Sequence, residues 1–469
     1  MQSVPFESFT YPFFDFSYNT NVSTLVDSFL NPRKGALRRK GKKGLYIHIP
    51  FCDTICTFCP FVKTVGQKER IENYVKALLL EMDMVAATEK SQSLVFDAVY
   101  IGGGTPSLLS KQQIDRIFES LRRNFQLSDS VEISFEVEAK STDRNLIIHL
   151  KNLGVTRISF GVQTFDPDIR PLVNLTATDD QIRETISLSA EFFERTNMDL
   201  MVGFPLHDEA RALRDIERAS NSGIASVSIY PVDYIMTLPK FVDRIKRGEI
   251  PAPPESKERH RLFHLARRAL REHFEEHNIY CYGKKDARPC RYMFEILYGG
   301  YHEEYIGLGC SSYTCLSGII YQNIPDEEDY IRTVNAGSLP LSAASPYHAY
   351  EKGLVFFPKR LTYDLSELTE LSLYDLYKER IDRLISLGLV RVNGEQLELT
   401  EDGQDNYSAL MVEFFSDSQR RLYARICKKL ASQVGWNELG MEVNIPRVQT
   451  KRPWGGIISM TPSYEALQQ

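Results

Sequence analysis

The chain has no apolar run near the roughly 18 residues a membrane-spanning helix needs, so no span is expected. Its start, MQSVPFESFTYPFFDF, lacks the basic leader and apolar core of a signal peptide. There is no basic excess either. Lys+Arg total 56 against 62 Asp+Glu, a formal charge of −6, which gives no global attraction to nucleic acid. Cysteine is sparse. The eight thiols, at 52, 56, 59, 281, 290, 310, 315 and 427, do not space out like a disulfide framework, and a reducing cytoplasm is the expected compartment. What remains is a globular composition, 43 % hydrophobic and 25 % charged, in 469 residues, too many for one ordinary core.

Three of the cysteines crowd into Cys52-x-x-x-Cys56-x-x-Cys59, just after the apolar run Leu45-Tyr46-Ile47-His48-Ile49-Pro50. Thiolates hold iron–sulfur clusters, and local spacing marks where one is wrapped. Three ligands on a four-iron cluster leave one iron open to a small molecule. The competing readings are a zinc site and buried structural thiols. A closed zinc site takes four protein ligands, and the loop offers no fourth Cys or His.

Residues 1–44 form an N-terminal arm, aromatic first (Tyr11, Phe13, Phe14, Phe16, Tyr18) and basic later (Arg33, Lys34, Arg38, Arg39, Lys40, Lys42, Lys43). Such a basic run is a solvated face or a steering patch for an anionic partner. From 45 to 277, β-rich runs alternate with amphipathic stretches. The strands read as Leu45–Ile49, Ala98–Ile101, Val131–Val137, Arg157–Gly161, Met198–Val202 and Ser226–Tyr230. Ile71, Tyr74, Val75, Leu78, Met82 and Val85 fall on one helix face, as do Ile114, Ile117 and Leu121. Six strand–helix units in a row predict an α/β fold, an open partial (β/α)6 TIM-like barrel with parallel strands. Residues 278–345 read as a linking region completing the site, with a strand and tight turn at 305–313. Residues 346–430 read as a C-terminal winged-helix-like α+β domain: a helix at 373–387, Gly388 as its cap, and a hairpin about Asn393-Gly394. Residues 431–469 are a tail without an assignment.

In β/α barrels chemistry gathers at the C-terminal strand ends. Here those ends carry the cysteine loop, Gly102-Gly103-Gly104-Thr105-Pro106, Glu136 with Glu138, Gly161-Val162-Gln163, Asp199 before Gly203-Phe204-Pro205, and Tyr230. Glycines let backbone N–H groups approach a ligand, or simply make a tight turn. Thr105 and Pro106 suit a helix N-cap and first position. Glu136 and Asp199 suit ribose hydroxyls or an ammonium, or serve as ion pairs. Gln163 suits a polar ligand group or a rim hydrogen bond, and Phe58 an adenine or a shield for the cluster.

Taken together, Tyr46-Ile-His-Ile-Pro-Phe-Cys52, the cysteine spacing, GGGTPS at 102–107, Arg157-Ile-Ser-Phe-Gly-Val-Gln163-Thr-Phe165, Asp199-Leu-Met-Val-Gly-Phe-Pro205 and Gly307-Leu-Gly-Cys-Ser resemble the oxygen-independent coproporphyrinogen oxidase-like family of radical S-adenosylmethionine (SAM) proteins. The resemblance covers about residues 45–415. It implies a [4Fe-4S] cluster on Cys52, Cys56 and Cys59. It implies two SAM molecules, the first facing Tyr46, Gly103 and Glu136, the second Phe58, Gly104, Thr105, Gln163 and Asp199. Two positions depart from the oxidase pattern: Leu175 stands where the oxidase has a second-site arginine, and Phe61 where it has a fourth cysteine. With Pro60 after the third cysteine, the loop looks most like the class C radical SAM methyltransferases and cyclopropanases. That implies transfer of a one-carbon unit from the second SAM to an sp2 carbon of a natural-product substrate. Tyr230, Tyr313 and Cys310 are the candidate catalytic residues, against a plain core role for each. The implied partners are a small-molecule substrate and an electron donor such as flavodoxin or ferredoxin, for a cytoplasmic, monomeric protein with no nucleic-acid or membrane partner. The alternatives are tetrapyrrole chemistry, as porphyrinogen decarboxylation or anaerobic haem opening, and a haem chaperone without turnover.

Overall fold

The computed structural model describes residues 2–5, 22–32, 40–234, 237–346, 353–415, 419–421, 423, 425 and 441–444. Six strands run in sequence: β1 Lys43–Ile49, β2 Phe96–Gly103, β3 Leu127–Val137, β4 Arg157–Gln163, β5 Arg195–Val202 and β6 Ser226–Pro231. The helices that follow them are α1 Lys68–Ala86, α2 Lys111–Asn124, α3 Arg144–Asn152, α4 Asp179–Phe192 and α5 Glu209–Ser220, with α6 Pro239–Lys246 and α7 Ser256–Arg271 after β6. Each neighbouring strand pair from β1 to β6 is parallel. This is the open partial barrel that strict alternation predicts.

The region from 278 onward does more than link. It supplies β8 Cys281–Gly283, β9 Glu304–Leu308, β10 Tyr313–Leu316, β11 Ile319–Asn323 and β12 Leu341–Pro346, while β7 Glu275–Glu276 closes the far edge. The sheet order is β7-β8-β6-β5-β4-β3-β2-β1-β9-β10-β11-β12. Strand β9 lies parallel to β1, and β10 to β12 are antiparallel additions. Between β8 and β9, Arg291–Leu297 forms a π-helix. Residues 353–415 carry a helix at Tyr374–Ser386, with Gly388 at φ +73° beyond its end, and a three-stranded sheet of Thr362–Asp364, Gln396–Leu399 and Val390–Asn393.

Along β1 to β6 the apolar residues Leu45, Ile47, Val99, Ile101, Ile133, Phe135, Ile158, Phe160, Met198, Leu200, Val227 and Ile229 face the helices and are buried with them. The intervening residues face inward and are mostly polar. Tyr74, Val75, Leu78, Met82 and Val85 of α1 enter the same core, as do Ile114, Ile117 and Leu121 of α2. A second core joins Tyr100, Tyr292 and Tyr305 to Leu354, Phe357, Leu397 and Leu410 of the C-terminal unit.

Two expectations change. Lys43 is not solvated: it is buried, 3.4 Å from Glu304, which also meets Lys90 at 3.7 Å. Lys42 pairs with Glu295, so these two end residues of the basic run are committed to ion pairs. The remainder of that run from 33 to 39, the aromatic residues 11–18, the tail beyond 444 and Cys427 lie outside the described residues. Thr105 caps no helix through its side chain; Pro106–Leu108 is a single 3-10 turn. The cap of α2 is Ser110, in a reciprocal capping box with Gln113. No described helix is long and apolar enough to cross a membrane.

Candidate active site

The cysteine loop leaves β1 through Phe51-Cys52 and is tied to three elements. Thr105 N–H donates to the Phe51 carbonyl at 2.7 Å, and Gly104 N–H to Ile49 at 2.8 Å. Asn174 Nδ2 donates to the Ile55 carbonyl at 2.7 Å, and Leu238 N–H to Thr57 at 2.9 Å. Phe58, between two of the cysteines, is buried edge-on against Phe204 at 5.1 Å, in an apolar nest with Ile169, Val173 and Tyr234. Cys56 and Leu175 pack on that nest. Gly104 admits no side chain: a Cβ there would stand 2.6 Å from the Phe51 carbonyl oxygen.

Burial pushes the Cys52 thiol up to about 11 and the Cys56 thiol up to about 12, and neighbouring thiols add to both. The Thr105 side chain hydrogen-bonds Cys52 and favours its thiolate. Such thiols become thiolates when a cation binds, since metal binding releases thiol protons. Among the described residues no set of three or more Cys, His, Asp or Glu side chains closes around a single ion. Three thiolates from one loop are a donor set that a cluster accepts, since it needs fewer than four protein ligands when one iron is left open.

Inside the barrel, register stacks the inward residues into layers. Tyr46 stands beside Tyr100, His48 beside Gly102, Glu136 beside Ser159, and Asp199 between Gly161 and Ser228. Tyr46 stacks on Tyr100 and Tyr292 with ring centres 6.2 and 6.0 Å apart. Its hydroxyl meets His48 Nδ1 at 3.0 Å, while His48 Nε2 meets the Val62 carbonyl at 3.3 Å. A carbonyl only accepts, so Nε2 carries the proton and Tyr46 donates to Nδ1. Burial holds His48 neutral, with its pKa lowered to about 4.

Glu136 accepts from Tyr100 Oη at 2.5 Å and from Gly103 N–H at 3.0 Å. Gly103 sits at φ +119°, where a Cβ would lie 2.4 Å from His48 Nδ1. Burial raises the Glu136 pKa. Burial and the nearby Glu136 charge push Asp199 up to about 6, although Asn197 Nδ2 donates to it at 2.8 Å. Gln163 closes β4 at a bulge with φ +67°, its amide folded against Gly161. Tyr230 lies over Tyr280 at 5.1 Å, within charge range of Asp199.

The structure thus gathers Tyr46, Gly103, Glu136, Asp199 and Tyr230 in the barrel, and Cys52, Cys56, Cys59 and Phe58 in the loop, with Gly104 and Thr105 of the turn after β2 bonded to it. Tyr313 opens β10 and is partly buried, packed against the second core. Cys310 is elsewhere: it is 0 % exposed in the main core, its backbone N–H donating to Tyr74 Oη at 3.1 Å. That is the setting of a small buried hydrophobe, on the helix side of the sheet with Tyr74 of α1. His48, Tyr100, Arg157, Asn197, Ser228, Cys281 and Cys290 are further interior residues, beyond those the sequence motifs single out. Period-two alternation names most of them, since Arg157 points with Ser159 and Gly161, and Asn197 with Asp199. An outer groove of about 1170 Å3 between α4 and α5 lies away from the cysteines, and its arginines are already paired: Arg183 and Arg218 with Asp179, Arg211 with Asp166 and Asp168.

The radical SAM superfamily model matches residues 46–246. The heme chaperone HemW of Bacillus subtilis is 27 % identical over 308 residues, 64 % of this chain and 77 % of that protein. The oxygen-independent coproporphyrinogen III oxidase of Escherichia coli K12 is 31 % identical over 213 residues, 45 % of this chain and 46 % of that one. The solved coproporphyrinogen III oxidase HemN of Escherichia coli superposes with a TM-score of 0.73 at 21 % identity, covering 87 % of this chain and 97 % of that chain.

These relatives overturn the methyltransferase or cyclopropanase expectation, because the matched proteins carry tetrapyrrole names: heme chaperone and coproporphyrinogen oxidase. The residues that suggested it, Pro60 and Phe61, are poor discriminators. Phe61 is 59 % exposed and walls no interior site. Residues 46–246 match the radical SAM superfamily, whose fold implies a [4Fe-4S] cluster and SAM as cofactors, in a chain that shares the HemN fold and is similar in sequence to HemW.

Proposed function

We propose that this protein uses a [4Fe-4S] cluster and SAM to act on a tetrapyrrole. The observation that carries the reading is the match to tetrapyrrole radical SAM proteins over most of the length of the HemW relatives. Cys52, Cys56 and Cys59 would hold the cluster. When bound, cluster and SAM together supply a 5′-deoxyadenosyl radical after one electron from a donor protein such as flavodoxin or ferredoxin.

The chain's own residues do the positioning. Thr105 and Lys63 steady the loop, through the Cys52 thiolate and the Cys59 carbonyl. Gly103 and Glu136 present a backbone turn and a carboxylate to the SAM ammonium and ribose. Phe58, Gly104, Thr105, Gln163 and Asp199 line the space for a further ligand, a second SAM or the tetrapyrrole edge. The stacked rings of Tyr46, Tyr100 and Tyr292 fill the interior beside it and exclude water. Leu175 packs beside Cys56 in the apolar nest, where it offers no charge to a ligand. Tyr230 stands within reach of Asp199 as a proton carrier for the substrate.

The test is anaerobic. Cluster-loaded protein is titrated with haem and with coproporphyrinogen III, then given SAM and a reductant. The expected result is binding of one of them and 5′-deoxyadenosine formed in proportion to tetrapyrrole consumed. Failure to bind either, with SAM cleavage indifferent to both, would end the proposal. The similarity to HemW favours a second reading, a haem chaperone, for which haem binds and is handed on unchanged.

A further inference from the structure

Arg157 opens β4 and points into the barrel. It is 7 % exposed, and its Nη1 has no hydrogen-bond partner among the described residues. No described carboxylate lies within ion-pair distance of it, yet it is surrounded by ionisable groups from four directions. Tyr100 comes from β2, Glu132 and Glu136 from β3, Asp199 from β5, and Cys281 and Cys290 from β8 and the segment after it.

The neighbouring acids are already provided for. Glu132 pairs with Arg195 at 2.5 Å and accepts Arg291 N–H at 2.9 Å. Glu136 takes Tyr100 Oη and Gly103 N–H. Asp199 takes Asn197 Nδ2, and Ser228 also hydrogen-bonds it. Nη1 of the Arg157 guanidinium is a buried donor that finds no acceptor among the described residues, and unlike Arg195 the group has no carboxylate partner. A buried charged donor without a partner is costly to keep, and burial here opposes a charge that the surrounding groups nevertheless maintain.

From this geometry we infer that Arg157 is the receptor for a carboxylate of a bound small molecule, held by its planar two-pronged donor face. Two sources fit the chemistry, a propionate of the tetrapyrrole or the α-carboxylate of a SAM molecule. The first source rests on the tetrapyrrole reading; the receptor itself does not. Glu136 and Asp199 above it would meet N–H groups of the same ligand, so the interior reads as one donor face opposed by an acceptor face.

The experiment compares wild type, Arg157→Gln and Arg157→Lys, all cluster-loaded and full length. Affinities are read by absorbance titration with haem and coproporphyrin III, with their methyl esters in the same detergent buffer, and by equilibrium dialysis with labelled SAM. Arg157→Gln is expected to weaken binding of the free acids at least tenfold and leave the esters unchanged, with Arg157→Lys recovering part of the loss. A tenfold fall for SAM with no change for the porphyrins assigns the carboxylate to SAM and keeps the receptor. No change in either, or equal loss for acid and ester, overturns it. If Arg157→Gln does not fold, the acid-to-ester comparison is made on Arg157→Lys, which keeps the charge but loses the two-pronged face. Wild type that binds neither porphyrins nor esters would remove the tetrapyrrole reading, and the SAM arm would still decide Arg157.

Discussion

Asp199 pairs a useful position with a stability cost. Its carboxyl is held at about 6 against an ordinary 3.8, by burial first and then by the Glu136 charge. The folded chain therefore binds this proton more tightly than the unfolded chain. The resulting stability is present below pH 3.8 and is lost as pH rises through about 6. Asp199→Asn keeps an acceptor for Asn197 and removes the charge. It should match wild type at pH 4 and exceed it by on the order of 2 kcal/mol at pH 8, as read from urea unfolding. A gain that is the same at both pH values would show that ionisation is not the cause. Cys56 sits at the opposite extreme, a thiol valued for a ligand. Cys56→Ala should abolish the visible absorbance and low-temperature paramagnetic signal of the reconstituted cluster, with the circular dichroism spectrum little changed. Retention of one zinc and of SAM cleavage by Cys56→Ala would restore the zinc reading of the loop.

Among elements, the glycine turn after β2 shows why a strand end is more than a connection. Gly103 combines a left-handed backbone with contact on His48, whereas Gly337, at φ +77°, has nothing within 4 Å of a Cβ. Alanine at Gly337 bears the backbone strain alone, about 1 kcal/mol. Gly103→Ala adds a clash with a buried ring and should cost roughly 1–3 kcal/mol more, with weakened SAM binding. Equal thermal shifts for the two variants would mean the turn yields and His48 moves aside. The six barrel strands were legible because their outward residues alternate with inward ones and each run is bounded by turn residues. The cap of α2 falls at Ser110 and not at Thr105, because both carry the same local signal and only tertiary contact with Cys52 sends the Thr105 side chain elsewhere. Strand β9 and its turn were legible through Gly307 and Gly309, but their neighbour was not. Glu81 of α1 accepts from Gly309 N–H at 2.7 Å and Tyr330 Oη at 2.5 Å, a pairing across more than 200 residues that no local pattern encodes.

At the scale of the molecule, the barrel and the C-terminal unit are joined by charge as well as by the aromatic core. One face of α7 carries the join. Arg267, among the largest wholly buried side chains, donates to Tyr282 Oη at 2.9 Å, Glu276 at 2.6 Å and Gln404 at 2.7 Å. Arg271 meets Glu401 at 2.8 Å, and His264 meets Asp405 at 3.0 Å. Residues 401–405 belong to a short helix of the C-terminal unit, so α7 bonds outward to that unit and inward to β7 and β8. A buried ion of this kind adds little over an apolar replacement, but breaking it leaves its partners uncompensated. Arg267→Ala should therefore cost about 3–5 kcal/mol, and Glu276→Gln alone less, because Arg267 keeps Tyr282 and Gln404. In the double variant the losses should fall short of their sum by at least about 0.5 kcal/mol, the signature of a shared network. Urea unfolding followed both by tyrosine fluorescence and by circular dichroism reads this cycle. If the charged join makes the two units unfold together, the two probes coincide in wild type and separate in Arg267→Ala. Coincident curves in Arg267→Ala would assign the coupling to the aromatic core of Tyr100, Tyr292, Phe357 and Leu410 instead.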